Sequence, residues 1–91
     1  MQSSSSFSIL VEYCNSWGYY SQFMRVQEAV EAAFPGVKTT GTGVPGRTGC
    51  MEVYVVRDGK KTRVHSKLGG DGPVGSKNIE GIIGKIKGVV C

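Results

Sequence analysis

Three cysteines and a single histidine are the side chains of this 91-residue chain best suited to covalent or redox chemistry, and Cys14 has the most telling neighbours. Before it, Phe7, Ile9, Val11 and Tyr13 stand at alternate positions with Leu10 between them, the pattern of a mostly buried strand. After it, Cys14-Asn15-Ser16-Trp17-Gly18 reads as a loop, and a helical pattern follows at once. A cysteine between a strand end and a helix start lies beside the positive end of the helix dipole, which favours an anion. The thiolate is the nucleophilic form, and such positions lower a cysteine pKa from about 8.5. An inert, buried thiol fits the same pattern, and these residues alone leave the two readings even.

Cys50 opens a later strand. It reads first as a small core residue, and second as a thiol able to reach Cys14 and resolve a mixed disulfide there. Cys91 is terminal and reads as a free thiol. A metal site needs several ligands at defined spacing, and none appears around His65. His65 therefore reads as an orienting or surface residue, with a catalytic role second.

The elements that must position these groups follow from periodicity. Phe23, Val26 or Gln27, Val30, and Ala33 with Phe34 recur at helical spacing until Pro35-Gly36 stops the run. Val37 to Thr40 is a short strand candidate. Gly41 to Gly49 reads as a loop because it holds glycines at 41, 43, 46 and 49 together with Pro45. Cys50 to Arg57 is strand-like, Asp58-Gly59 signals a hairpin turn, and Lys61 to His65 returns as its partner. Leu68 to Gly75 is a second glycine-rich loop. Ser76 can cap a last helix in which Ile79, Ile82, Ile83, Ile86 and Val90 line one face. Gly81, Gly84 and Gly88 fall largely away from that face, as a poorly optimised solvent side or a smooth contact surface.

The order is β-α-β-β-β-α, an α/β arrangement. Its first three elements form a βαβ unit with parallel strands. If the third strand pairs antiparallel with the first, the loops after Cys14, before Cys50 and after His65 gather at one end of the sheet with the first helix start. Ligand and catalytic sites of open α/β sheets favour that edge.

Bulk properties bound the rest. The length supports one compact domain over 7–91 behind a flexible serine-rich tail over 1–6. No apolar run approaches the roughly 20 residues that span a bilayer. The first residues lack a basic segment and Glu12 interrupts the apolar stretch, against a secretory signal. Three cysteines without framework spacing point to a reducing compartment, the cytoplasm. A net charge of +4 permits weak attraction to acidic partners without requiring it.

Several segments together resemble the selenoprotein W family of thiol redox proteins. Val11-Glu12-Tyr13-Cys14-Asn15-Ser16-Trp17-Gly18-Tyr19 is similar to its active-site segment, in which Tyr-Cys is followed by two variable residues, selenocysteine or cysteine, and Gly-Tyr or Gly-Phe. Ala33-Phe34-Pro35-Gly36 is similar to its helix exit. Arg47-Thr48-Gly49-Cys50-Met51-Glu52-Val53 resembles its glycine-then-strand segment, with Met51 where phenylalanine is usual. His65-Ser66-Lys67, then Gly69-Gly70-Asp71-Gly72, resembles its His-Ser-Lys and glycine loop. The resemblance implies a thioredoxin-like two-layer sandwich, with a four-stranded mixed sheet and two helices. It also implies a cytosolic setting, chemistry linked to glutathione or the thioredoxin system, and binding to 14-3-3 proteins through the redox motif. Cys14 then carries the first redox position, Trp17 stands at the second, and Ser16, Gly18, Thr48 and His65 support the site. Tryptophan can neither resolve a mixed disulfide nor bridge to Cys14, so the motif as written is monothiol and any oxidoreductase activity crippled. Two readings of Trp17 stay open. One is a stand-in for selenocysteine, since UGA encodes that residue in the family and is misread as tryptophan in bacterial hosts. The other is a natural tryptophan that packs beside the helix start.

A non-enzymatic binding module is the alternative. Double-stranded RNA domains put lysines at the start of their last helix, where this chain has only Lys77 with Lys67 before it. Gly69 to Gly72 lies between a strand and a helix, not between the two helices of a KH clamp, and Tyr54 stands almost alone on its strand. The expectation is therefore redox chemistry without bound cofactor, metal, nucleic acid or membrane.

Overall fold

A computed structural model describes residues 7–15, 19–45, 49–72 and 74–90. The chain runs β1 (Phe7–Cys14), α1 (Tyr19–Ala33), β2 (Thr39–Val44), β3 (Met51–Arg57), β4 (Lys60–Ser66), a short π turn (Lys67–Asp71) and α2 (Ile79–Val90). The proposed tail over 1–6 lies outside the described residues.

The four strands form one mixed sheet in the order β2-β1-β3-β4. β1 and β2 are parallel, from Ile9 opposite Thr39 to Cys14 opposite Val44. β1 and β3 are antiparallel, from Phe7 opposite Arg57 to Tyr13 opposite Met51, the pairing on which the gathering of the loops depends. β3 and β4 are antiparallel, with an irregularity between Val53 and Tyr54.

Side chains alternate between the two faces of a strand. Phe7, Ile9 and Val11 of β1 and Met51, Val53 and Val55 of β3 therefore share one face. They form a single hydrophobic cluster with Phe23, Val26 and Val30 of α1 and with Ile82 and Ile86 of α2. Each such fully buried aliphatic side chain stabilises the fold by about 1.5–3 kcal/mol relative to exposure. Both helices lie on that face, which makes the architecture a two-layer α/β sandwich.

Two elements differ from their sequence reading. β2 starts at Thr39 and runs on through Gly41 and Gly43 to Val44, where the glycines suggested a loop. The parallel ladder with β1 supplies the order that the glycines do not. The last helix begins at Ile79, and Asn78, not Ser76, closes its entry. The Asn78 side-chain oxygen accepts from the Gly75 amide at 2.9 Å, and its carbonyl accepts the first helical bond, from Ile82, at 3.0 Å.

Candidate functional site

Cys14 is the last residue of β1, at the end of the sheet where three strands are tied together. Its amide donates to the Cys50 carbonyl at 2.8 Å, and the next amide, Asn15, donates to the Val44 carbonyl at 2.9 Å. Continuing the register beyond Tyr13 and Met51 puts Cys14 directly opposite Cys50. Cys14 is 1% exposed and Cys50 7%, and no disulfide joins them. Neither belongs to the main hydrophobic cluster. Alternation accounts for this: both share the sheet face of Glu12 and Glu52, opposite the helices.

The start of α1 reaches the same end. Gly49, just before Cys50, adopts φ +69°, the left-handed region. A Cβ there would lie 3.7 Å from the Tyr19 hydroxyl and 3.8 Å from Lys67 Nζ. The first residue of α1, the approach to β3 and the turn after β4 therefore meet at Gly49, the residue before Cys50.

The open face continues as a polar network. Glu12 lies opposite Glu52. Glu52 is 6% exposed; its Oε1 accepts from Ser66 Oγ at 2.6 Å and from Arg63 Nη1 at 3.3 Å. Lys61 Nζ stands 3.5 Å from Glu12 Oε2 and 4.5 Å from the centre of the Tyr54 ring. Burial raises the Tyr54 hydroxyl pKa, and the charge and hydrogen bond of Glu12 push it further in the same direction.

His65 is 2% exposed, which excludes its surface reading. Its Nε2 lies 2.8 Å from the Gly72 carbonyl oxygen. A carbonyl only accepts, so Nε2 carries the hydrogen and donates. His65 orients the turn after β4, and its place opposite Val53 puts it on the helix side of the sheet, away from the two thiols. Ser66 completes the turn: its amide donates to Asp71 Oδ2 at 3.0 Å, and its Oγ accepts from the Gly69 amide at 2.8 Å. The hydrogen bond from the Ser66 amide holds the Asp71 carboxyl below the usual carboxylate value.

Of the residues singled out from sequence, the structure brings Cys14 and Cys50 together and separates His65 from them. Ser16, Trp17, Gly18, Thr48 and Cys91 lie outside the described residues. The Glu12–Glu52–Ser66–Arg63 network was not expected. Its one signal was a glutamate inside the apolar alternation of β1. Among the described residues no group of three or more histidine, cysteine or acidic side chains could hold a metal ion. No described helix is long and apolar enough to cross a membrane.

Comparison with known proteins gives the family and the fold. The family model described as Rdx family matches residues 8–85. Selenoprotein W of Sus scrofa is 40% identical over 72 residues, covering 78% of each chain. Selenoprotein W of Danio rerio is 43% identical over 67 residues, covering 72% of this chain and 73% of its own. In the solved structure of a selenoprotein W-related protein from Vibrio cholerae, the likeness covers 94% of this chain and 99% of that one, with a TM-score of 0.68 at 10% identity. A Bordetella parapertussis structure matches at a TM-score of 0.66 and 14% identity, over 92% of this chain and 98% of that one. At such identities the two structures speak for the fold alone, and that fold is the thioredoxin-like sandwich.

Proposed function

The chain belongs to the Rdx family, among relatives of selenoprotein W, and from that premise we propose that it is a thiol redox protein whose reacting group is Cys14. The observation that carries this reading is the placement of Cys14 at the end of β1, where backbone bonds tie it to Cys50 at the approach to β3 and the next residue to Val44 at the end of β2.

In this chemistry the Cys14 thiolate attacks one sulfur of a disulfide such as glutathione disulfide. A Cys14–glutathione bond forms, the glutathione sulfur–sulfur bond breaks, and one glutathione leaves as a thiolate that takes up the proton lost by Cys14. Trp17 has no sulfur with which to continue. With 1% of Cys14 exposed, its cover must part before a partner reaches the sulfur. Glutathione or the thioredoxin system would restore the thiol, in a cytoplasmic setting, and 14-3-3 proteins are the partners that the family suggests. If Trp17 stands in for selenocysteine, the native gene carries UGA at that codon, and a UGG codon makes the tryptophan natural.

The test is to expose the reduced chain to glutathione disulfide, quench with an alkylating agent and map the three cysteines by mass spectrometry. Cys14 should be protected from alkylation in the native chain, and Cys14→Ser should abolish glutathione-dependent oxidation in β1. A chain that is modified at Cys91 while Cys14 stays fully reduced would contradict the proposal.

A further inference from the structure

We propose that Cys50 is the resolving thiol for Cys14, so that the chain carries its dithiol across two strands instead of along one loop. This rests on the reading of Cys14 as the reacting group.

The register of the ladder, carried one step past Tyr13 and Met51, makes the two residues direct cross-strand neighbours on one face of the sheet. The bond from the Cys14 amide to the Cys50 carbonyl at 2.8 Å is one of the two that a hydrogen-bonded antiparallel pair exchanges. Such pairs hold their Cα atoms about 5.5 Å apart, inside the roughly 4.4–6.8 Å that a disulfide needs. Their Cβ atoms lie roughly 4.5–5.5 Å apart, against about 3.5–4.5 Å in a disulfide. The bridge therefore forms by drawing the strand ends together by about an ångström. The sheet can give at this place, since Cys50 precedes β3 and sits at its open end. A bridge made under that tension is easily reduced, which suits a cycling thiol better than a structural staple.

The remaining surroundings agree. Gly49 at φ +69° turns the chain into β3 in a conformation that a side chain would strain, and this delivers Cys50 to its place opposite Cys14. Cys50 is buried on the sheet face away from the helices, outside the cluster that packs against them. A thiol fixed beside the mixed disulfide also has the advantage of a high effective concentration over any thiol arriving from solution.

The second step balances the first. The Cys50 thiolate attacks the Cys14 sulfur of the mixed disulfide, the Cys14–Cys50 bond forms, and the bond to glutathione breaks. The second glutathione leaves as a thiolate and takes the proton that Cys50 lost. Two protein thiols become one disulfide while one glutathione disulfide becomes two glutathione molecules.

Trypsin cutting after Arg25, Arg47, Arg57 and Lys87 places Cys14, Cys50 and Cys91 on separate peptides, so the linkage can be read directly. The reduced full-length chain is treated with glutathione disulfide and digested without reductant. A peptide pair joined through Cys14 and Cys50, with two glutathione molecules released per chain and none retained at Cys14, is the expected result. Cys50→Ser, or Cys50→Ala if the serine variant does not fold, should instead keep one glutathione on Cys14. Retention of glutathione at Cys14 in the unaltered chain, at the level seen in the variant, overturns the role of Cys50 and leaves Cys14 as the reacting thiol. Absence of glutathione from Cys14 in both chains, with no bridge, overturns the reading of Cys14 itself. A bridge from Cys14 to Cys91 also overturns the proposal.

Discussion

Gly41 of β2 lies against Phe23 of α1 so closely that a Cβ at position 41 would sit 2.7 Å from the Cε1 and Cζ atoms of the ring. Phe23 is part of the hydrophobic cluster, and its ring stacks on Tyr13 at 5.6 Å between centroids. The ring therefore cannot move without disturbing the residue before Cys14. Gly41→Ala should destabilise the fold by about 1–3 kcal/mol, the usual cost of overpacking. Gly75→Ala, where a Cβ meets nothing within 4 Å, is the control. Urea midpoints of the two variants and the parent decide it, and a Gly41→Ala midpoint equal to that of the control would refute the contact.

The same contact explains what could and could not be read in advance. β1, β3 and the hairpin were legible because Ile9 and Val11, and Val53 and Val55, repeat with period two under a buried face. α1 and α2 were legible from Phe23, Val26 and Val30 and from Ile82 and Ile86 at helical spacing. β2 was cut short because Gly41 has a tertiary reason: it makes room for a ring 18 positions earlier in the chain, and local propensity does not register that. Cys50 could be suspected but not placed, since its position opposite Cys14 depends on a register that pairs distant segments. The burial of His65 left no trace at all, because a lone histidine in a basic hairpin has no period to betray its face.

On the open face, Tyr54 shares a hydrogen bond with Glu12, and its pKa lies above the ordinary 10.0, first from burial and then from Glu12. The neutral phenol is the form that the folded state favours. A raised folded pKa contributes stability that is fully present below the unfolded value of about 10 and is lost as the pH rises through the folded value. Stability should therefore decline as Tyr54 ionises at alkaline pH. Glu12→Gln should bring the tyrosinate absorbance transition of Tyr54 back towards 10.0, with Tyr54→Phe identifying the transition. An unchanged transition in Glu12→Gln would show that burial alone holds the phenol neutral.

Asp71 gives the opposite sign at the acid end. The Ser66 amide stabilises its charged form, so the folded pKa falls below 3.8. A depressed carboxyl contributes stability above its unfolded pKa and loses it as the pH falls through the folded value. On acidification the turn after β4 should loosen together with Asp71 protonation, and the Ser66 amide resonance should follow that titration. Asp71→Asn keeps an acceptor for the amide but removes the charge. The acid step in the Ser66 resonance should vanish in that variant, and its persistence would assign the step to another group.

The exposed side of α2 separates two readings of its glycines. Gly81, Gly84 and Gly88 are all exposed, and a Cβ at any of them would meet nothing within 4 Å. Alanine is favoured over glycine in a helix interior by up to about 1 kcal/mol. Gly81→Ala and Gly84→Ala should each stabilise the protein by roughly that amount, and Gly88→Ala by less, because position 88 stands in the last turn. The three sites are not equivalent towards a partner, however. Gly84 borders a groove between the helices that is lined by Ala29, Ala33, Ile79 and Ile83. A methyl group there adds to the surface that any partner in the groove would meet, whereas Gly81 does not line it. A poorly optimised solvent face requires all three variants to gain in thermal stability and to keep the parent's rate of Cys14 oxidation by glutathione disulfide and its protein associations. A contact surface requires Gly84→Ala to weaken an association that Gly81→Ala leaves intact. Thermal denaturation of the single variants checks the first requirement, and co-purification of the same variants from cell extract checks the second. If none gains stability, the exposed helical placement of these glycines is wrong, because neither reading survives without it.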